Sequence, residues 1–91
     1  AGVDVHSNDD LGNLNLTDDG IKKRDEIVCE YFKEKKIPLC TVIGGGYSKN
    51  RQELASRHFS IFETVSKTYL WIFLINSLNQ PKNYSYSQYN L

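Results

Sequence analysis

The most restrictive feature of this sequence is a short apolar run between a proline and three glycines. The run, residues 39–43, reads Leu-Cys-Thr-Val-Ile, with Pro38 before it and Gly44, Gly45 and Gly46 after it. Pro38 prevents a helix from running through this point, and consecutive glycines end regular structure on the other side. A run this short, without polar alternation, is typical of a β-strand that is buried on both faces.

A helix is predicted before this run. Thr17 is a good N-cap, Asp18 and Asp19 place negative charge in the first turn, and the lysines at 33, 35 and 36 place positive charge in the last. The apolar residues at helical spacing predict one buried face, formed by Ile21, Val28, Tyr31 and Phe32.

A second helix is predicted after the glycines, from about Lys49 or Asn50. Its apolar side keeps helical spacing and comprises Leu54, Ala55, His58, Phe62, Val65 and Tyr69. Loop, helix, buried strand, Gly-rich loop and helix together predict the α/β class, as one unit of a parallel sheet.

Size and charge limit the partners that we expect. The chain has 91 residues, which suits one small domain, and its 11 Lys and Arg balance its 11 Asp and Glu. No net field would attract nucleic acid or an anionic membrane, so neither is expected as a partner. The apolar run 69–75 is far shorter than the roughly 18–20 residues of a membrane helix.

The cysteines and the two ends of the chain predict an intracellular piece of a longer protein. Cys29 and Cys40 lack the spacing and density of a disulfide framework, so we expect both thiols to be reduced and buried. The sequence has no Met and begins without a signal-peptide pattern, which suggests a cut from something longer. Residues 76–91 are polar and carry no acidic residue, so a disordered tail is expected.

Two groups of residues could carry chemistry. In parallel sheets ligands bind beyond the carboxyl ends of strands, where the glycine loop would place the phenol of Tyr47. A binding loop and a turn with a packing tyrosine both fit, and the second is the more ordinary arrangement. Asp4, His6, Asp9 and Asp10 offer Zn²⁺-type ligands within one short stretch, but they could also merely cap turns, which is the more ordinary role of clustered Asp in loops.

Taken together, these stretches resemble the C-terminal third of the histone deacetylase domain, in the manner of class IV and related bacterial-type members. The resemblance covers about residues 1–65 and is carried by a compound pattern: Ala1-Gly2-Val3-Asp4-Val5-His6, Asp9-Asp10-Leu11-Gly12, Leu14-x-Leu16-Thr17, Gly20-Ile21, Arg24-Asp25, Ile37-Pro38 and Gly44-Gly45-Gly46-Tyr47. It implies a fragment of the arginase/deacetylase-type parallel-sheet fold over residues 1–68. Residues 69–91 would then be the apolar run and the polar tail.

The resemblance also implies roles for individual residues. Asp4 falls on a zinc ligand, and Tyr47 falls on the tyrosine that polarises the scissile carbonyl. Gly45 and Gly46 would keep the site narrow and so bind substrate. Asp9 falls on an acidic position with a structural role, while His6 and His58 are interpreted as a loop-structuring and a packed histidine.

The activity implied is zinc-dependent hydrolysis of N-acyl-lysine amides with one Zn²⁺, on acylated lysine side chains of proteins or on acylated polyamines. The compartment would be the cytoplasm or the nucleus. The family's Asp-x-His ligand pair and its histidine base are not in this sequence. The remainder of the deacetylase domain would be the partner that supplies them, and the alternative is a catalytically dead truncated fragment that acts as an interaction piece.

Overall fold

Two packed helices and the loops that flank them form the fold. The computed structural model describes residues 1–70, 74 and 77–79. Helix α1 spans Asp18–Glu34 and helix α2 spans Arg51–Val65, with one π-helical turn at Ser66–Leu70 directly after α2. The π-helical turn is tied back to α1, because the hydroxyl of Tyr69 donates a 3.2 Å hydrogen bond to the backbone oxygen of Cys29.

Helix α1 begins after the predicted N-cap and ends before Pro38, with Lys33 in its last turn but Lys35 and Lys36 beyond it. The hydroxyl of Thr17 accepts a 3.0 Å hydrogen bond from the N–H of Gly20, which satisfies a free donor of the first turn. At the other end the N–H of Ile37 donates to the oxygen of Phe32 at 2.9 Å, and Lys36 has a left-handed φ of 55°. This is a Schellman ending, and Pro38 lies just beyond it.

Helix α2 begins at Arg51, within two residues of the predicted start at about Lys49 or Asn50. The side-chain oxygen of Asn50 accepts a 3.2 Å hydrogen bond from the N–H of Glu53, which makes Asn50 the N-cap. The acidic residue Glu53 itself lies in the first turn, where the helix dipole favours it. Local capping signals therefore locate both helices.

The core between the helices differs from the predicted apolar faces. The buried apolar residues are Val3, Ile21, Cys29 and Ile61, and the buried polar or charged residues are His6, Asp25, Arg57 and Thr64. Tyr31 and Phe62, both assigned to buried faces, are each 54% exposed. The core thus contains polar and charged side chains among the apolar ones.

The predicted α/β class, with its buried strand in a parallel-sheet fold of the arginase/deacetylase type, is wrong. The described residues contain no strand, and their one β-bridge is an isolated pair between His6 and Leu16. Residues 39–43 are not buried either, since Val42 is 68% and Ile43 59% exposed. A strand needs a neighbouring backbone along its length. Among the described residues the only hydrogen bond to this run comes from the N-terminal amine, which donates to the oxygen of Val42 at 2.8 Å.

The remaining structural predictions have mixed outcomes. Both cysteines are free, and Cys29 is buried as predicted, but Cys40 is exposed because it lies in the unpaired run. Most of residues 69–91, the predicted apolar run and polar tail, lies outside the described residues, so the disorder predicted for residues 76–91 stays a prediction. No helix within the described part of the chain has the length and apolar character needed to cross a membrane.

Candidate functional site

The predicted zinc-ligand loop and the predicted catalytic loop lie against each other. We call residues 1–12 the aspartate loop and residues 44–47 the glycine loop. The N–H of Val3 donates a 2.8 Å hydrogen bond to the oxygen of Gly45. The side chain of Val3 is buried, so this contact is part of the small core. The residues that the sequence grouped by motif are therefore neighbours in space.

Glycine is required where the two loops meet. A Cβ atom on Gly45 would lie 3.0 Å from Oδ2 of Asp4, and one on Gly44 would lie 2.8 Å from the Cα of Gly2. Such distances are shorter than ordinary van der Waals contact, so a larger residue at Gly44 would push the Gly2 backbone away, and one at Gly45 would displace the Asp4 carboxylate. The absence of side chains on the glycine loop is what lets the Asp4 carboxylate lie directly on it.

Gly46 is the glycine of this loop that packs against the residues beneath it. Its φ is 156°, and a Cβ atom there would lie 2.6 Å from Cγ2 of Val3 and 3.2 Å from Nε2 of His58. The other ring nitrogen of His58, Nδ1, is buried without a hydrogen-bond partner among the described residues. His58 is thus packed below the glycine loop.

Asp9 joins the two loops through backbone hydrogen bonds. Its Oδ1 accepts from the N–H of Tyr47 at 2.7 Å, and its Oδ2 accepts from the N–H groups of Leu11 and Gly12 at 3.0 and 2.8 Å. A further bond runs from the N–H of Asp10 to the oxygen of Tyr47 at 2.9 Å. The N–H of Tyr47, followed by those of Gly12 and Leu11, lowers the pKa of Asp9 against the opposing effect of burial. The structural role implied for Asp9 is visible in these bonds.

The two side chains with implied chemical roles are free to meet a ligand. Tyr47 is 58% exposed, and Asp4 is exposed too. Within the described residues neither the Asp4 carboxylate nor the Tyr47 hydroxyl forms a hydrogen bond or ion pair. An uncommitted carboxylate fits one coordination position of Zn²⁺. The described part of the chain holds no group of three His, Cys, Asp or Glu that could bind a metal.

Both ring nitrogens of His6 are engaged in polar contacts. Nδ1 accepts a 3.0 Å hydrogen bond from the N–H of Asn8, and Nε2 lies 3.0 Å from Oδ1 of Asp18 at the start of α1. With Nδ1 as acceptor, Nε2 carries the proton and donates to Asp18. The residue as a whole is 5% exposed. His6 therefore orders the aspartate loop and ties it to α1.

The part that Arg24 and Asp25 take in this site was not predicted from the sequence, in which the pair is one element of the family pattern. In the structure Nη1 of Arg24 donates a 2.5 Å hydrogen bond to the oxygen of Gly2, in the aspartate loop. The available signal was the spacing of Asp25, which falls one helical turn after Ile21 and one before Cys29 and therefore on the buried face. A carboxylate at such a position requires a partner.

Comparisons with known proteins identify the family. The model of the histone deacetylase domain matches residues 1–62. An uncharacterised protein of Picosynechococcus sp. is 38% identical over 69 residues, which are 76% of this chain and 23% of that protein. Histone deacetylase 2 of Arabidopsis thaliana is 46% identical over 50 residues, which are 55% of this chain and 13% of that protein. No solved structure matches the chain significantly.

The matches identify a chain of the deacetylase class. It belongs to the histone deacetylase domain family, since the family model covers more than half of its length. The matched stretch spans less than a quarter of each of these two relatives.

Proposed function

We propose that this chain is the C-terminal part of a zinc-dependent deacetylase that hydrolyses N-acyl-lysine amides. Asp4 would supply one zinc ligand and Tyr47 the donor that stabilises the oxyanion. The observation that carries the proposal is the contact between the two loops. The Asp4 carboxylate lies on Gly45, and Asp9 holds the backbone of Tyr47. One small region thus contains an uncommitted carboxylate and an uncommitted phenol.

The backbone around Asp4 is held in place, which suits its carboxylate to bind a metal ion. The neighbouring peptide groups are tied down, with the N–H of Val3 bonded to Gly45 and the N–H of His6 bonded to the oxygen of Val3 at 3.1 Å. The carboxylate itself is exposed and would act as one of the three protein ligands of a catalytic zinc site. Zn²⁺, when bound, would activate water and polarise the acyl oxygen. The other ligands would come from the remainder of the deacetylase domain.

Tyr47 would donate its phenolic hydrogen to the developing oxyanion. Its backbone is fixed at both ends of the residue, because its N–H is bonded to Asp9 and its oxygen accepts from Asp10. Only the side-chain torsion angles of Tyr47 remain free. Its hydroxyl can therefore move only by rotation of the side chain about a backbone that is held in place. Removing one preorganised donor of this kind typically lowers kcat by about 10²–10³.

The substrate side of the proposal rests on the glycine loop. Gly45 is exposed beside Asp4, while Gly46 is partly buried behind it. We assign Gly45 to the wall that an extended acyl-lysine arm would contact, because bare backbone permits close approach. Gly46 would contribute by setting the path of that backbone. Acylated lysine side chains of proteins are the proposed substrate, and acylated polyamines share the same amide and the same extended shape.

The test uses Tyr47→Phe and Asp4→Ala in a complete deacetylase domain that contains these residues. We expect Tyr47→Phe to keep normal folding and zinc content and to lower kcat by about 10²–10³, since the lost bond forms chiefly in the transition state. We expect Asp4→Ala to lose zinc together with activity, because it deletes a metal ligand. The measurements are kcat on an acetyl-lysine peptide, metal content and thermal melting.

Two matched controls separate these roles from packing. Tyr31→Phe makes the same chemical change at an exposed tyrosine of α1, and Asp10→Ala removes an exposed carboxylate from the same loop. Both should leave kcat and zinc content near wild type. If Tyr47→Phe retains more than about half of the wild-type kcat, which is an effect under about 0.4 kcal/mol, the catalytic role of Tyr47 is wrong.

A further inference from the structure

One peptide group next to Asp4 is held from both sides. The oxygen of the Gly2–Val3 peptide accepts a 2.5 Å hydrogen bond from Nη1 of Arg24, and its N–H donates a 2.8 Å bond to the oxygen of Gly45. The first partner belongs to helix α1 and the second to the glycine loop. Two separate parts of the fold therefore set the orientation of this peptide plane. Asp4 is the next residue along the chain.

The guanidinium of Arg24 is itself oriented by its neighbour. Nε and Nη2 of Arg24 both donate to Oδ1 of Asp25, at 3.0 and 2.8 Å. The second carboxylate oxygen of Asp25 lies 3.5 Å from the hydroxyl of Ser60, on helix α2. The Asp25 side chain is 4% exposed, whereas that of Arg24 is 30% exposed. A buried carboxylate thus turns a partly exposed guanidinium so that its remaining donor meets the aspartate loop.

The arrangement is more specific than an ion pair requires. Any nearby cation could neutralise the charge of Asp25. The planar guanidinium of Arg24 does more, because two of its nitrogens donate to Asp25 while the third donates to the oxygen of Gly2. A lysine ammonium is a compact point charge on a flexible stem and cannot hold both acceptors in this geometry. The identity of Arg24, beyond its charge, sets the Gly2–Val3 peptide.

We propose that Arg24, oriented by Asp25, is a positioning residue for the Asp4 carboxylate and so sets the affinity of the zinc site. The proposal rests on the proposed function, in which Asp4 is a metal ligand. Residues that orient metal ligands typically change metal affinity or activity by about 10–100-fold when they are replaced. Arg24 touches neither metal nor substrate in this proposal. It acts through the backbone of residues 2 and 3.

The experiment compares Arg24→Lys with Arg51→Lys in a complete deacetylase domain that contains these residues. Arg51 is exposed at the start of α2, so Arg51→Lys is the matched control. Four quantities are measured: the Kd for Zn²⁺ in a competition titration, the visible absorption of the Co²⁺-substituted protein, kcat with and without added zinc, and the melting temperature. We expect Arg24→Lys to raise the Kd by about 10–100-fold and to alter the Co²⁺ spectrum. Its kcat should recover when excess zinc is added, and Arg51→Lys should match wild type throughout.

A purely structural role gives a different pattern. In that case Arg24→Lys lowers the melting temperature while the folded fraction binds zinc with the wild-type Kd and Co²⁺ spectrum, which overturns the proposal. Asp25→Asn is the second variant, because it keeps the shape of the pair and removes the charge that orients Arg24. It should weaken zinc binding in the same direction. If neither variant folds, the pair is a folding element and the proposal is overturned as well.

Asp4→Ala in the same protein separates this proposal from the proposed function. If Asp4→Ala retains zinc, Asp4 is not a ligand and the proposed function fails. If Asp4→Ala loses zinc while Arg24→Lys and Asp25→Asn bind it as wild type does, the zinc role of Asp4 stands and only the positioning role of Arg24 fails.

Discussion

Asp9 accepts a 2.7 Å hydrogen bond from the backbone N–H of Tyr47, 38 residues along the chain. This bond fastens the aspartate loop to the glycine loop. The same carboxylate also accepts from the N–H groups of Leu11 and Gly12, so one side chain holds the turn of its own loop and the position of the other. The relative position of Asp4 and Tyr47 therefore depends on a residue with no chemical role of its own.

The Asp9 bonds predict a specific pH dependence of stability. Backbone donors, first that of Tyr47, lower the pKa of Asp9 below its ordinary value of 3.8. A lowered folded-state pKa means that this stabilisation is fully present above about 3.8 and is lost as the pH falls through the folded-state pKa. Asp9→Asn lacks the titration and should flatten the fall in unfolding free energy at low pH. Urea denaturation between about pH 2 and 6 measures it.

Asp10→Asn is the matched control for this prediction. Asp10 is adjacent and exposed, and within the described residues its carboxylate accepts no hydrogen bond. Its replacement should leave the low-pH fall as in wild type. Equal low-pH behaviour of Asp9→Asn and wild type would show that the bonds to Asp9 do not hold the loops in solution.

Gly46→Ala should destabilise the fold by about 1–3 kcal/mol, the usual range for overpacking. The added methyl group would lie 2.6 Å from Cγ2 of Val3 and 3.1 Å from Cδ1 of Leu54, at a φ of 156° that residues with a side chain rarely adopt. Gly20→Ala is the control, since its added methyl would meet only ordinary contacts of 3.4 Å or more in the first turn of α1. There alanine should be neutral or stabilise by up to about 1 kcal/mol. Chemical denaturation gives the free energy of unfolding of both variants. Equal values for Gly46→Ala and Gly20→Ala would refute the packing role of Gly46.

The two helices could be predicted because their signals are local. Thr17 and Asn50 cap the first turns with their own side chains, and Pro38 follows the Schellman ending of α1. Each signal acts over three or four residues, so no knowledge of the rest of the fold is needed. The neighbouring positions of Asp4 and the glycine loop came from the family resemblance, which carries long-range information that composition lacks.

The strand and the polar core could not be predicted for opposite reasons. Residues 39–43 have a strand-like composition, but a strand exists only with a partner backbone, and the described residues bring it only the bond to Val42. Asp25 and Arg57 are charged and were left out of the predicted core, yet each is 5% exposed or less. Asp25 is buried because Arg24 satisfies it. Hydrophobic periodicity does not register a pair of that kind.

The two cysteines should differ sharply in reactivity. Burial raises the pKa of the Cys29 thiol, and the nearby carboxylates of Asp25 and Glu30 raise it further. Since the thiolate is the nucleophile, Cys29 should resist alkylation in the folded chain, whereas exposed Cys40 should react. Iodoacetamide labelling with peptide mass mapping checks this, and labelling in urea should make the two equal. Preferential labelling of Cys29 under native conditions would contradict the packing of α1.

Lys36→Gly should stabilise the chain by about 1 kcal/mol. Lys36 has a φ of 55°, and the left-handed conformation costs a residue with a Cβ atom about 1–2 kcal/mol, part of which glycine loses again in backbone entropy. Lys35→Gly is the control, because Lys35 has a right-handed φ of −77° at the C-cap and should gain nothing. The free energy of unfolding from urea titration decides. If Lys35→Gly stabilises the chain as much as Lys36→Gly does, the left-handed φ of Lys36 is not the cause of the gain.

The isolated 91-residue chain should show no deacylase activity and should bind Zn²⁺ weakly. A catalytic zinc site uses three protein ligands, and Asp4 is the one that the proposed function assigns to this chain. His6 has both ring nitrogens engaged, with Asn8 and Asp18, and His58 lies below the glycine loop at Gly46. Neither histidine is therefore available to complete the site without rearrangement. The proposed oxyanion donor Tyr47 would have no polarised acyl group to meet.

Two measurements test this last prediction. Isothermal titration with Zn²⁺ should give a Kd weaker than about micromolar, in contrast to the tight binding of complete multi-ligand sites. An acetyl-lysine peptide assay with added zinc should give no turnover. Asp4→Ala should lower the residual zinc binding further, whereas Asp10→Ala should not, because the proposed function assigns the ligand role to the Asp4 carboxylate, which lies against Gly45. Turnover that a chelator abolishes would show instead that the chain carries a complete site, and the assignment of the other ligands to the remainder of the domain would then be wrong.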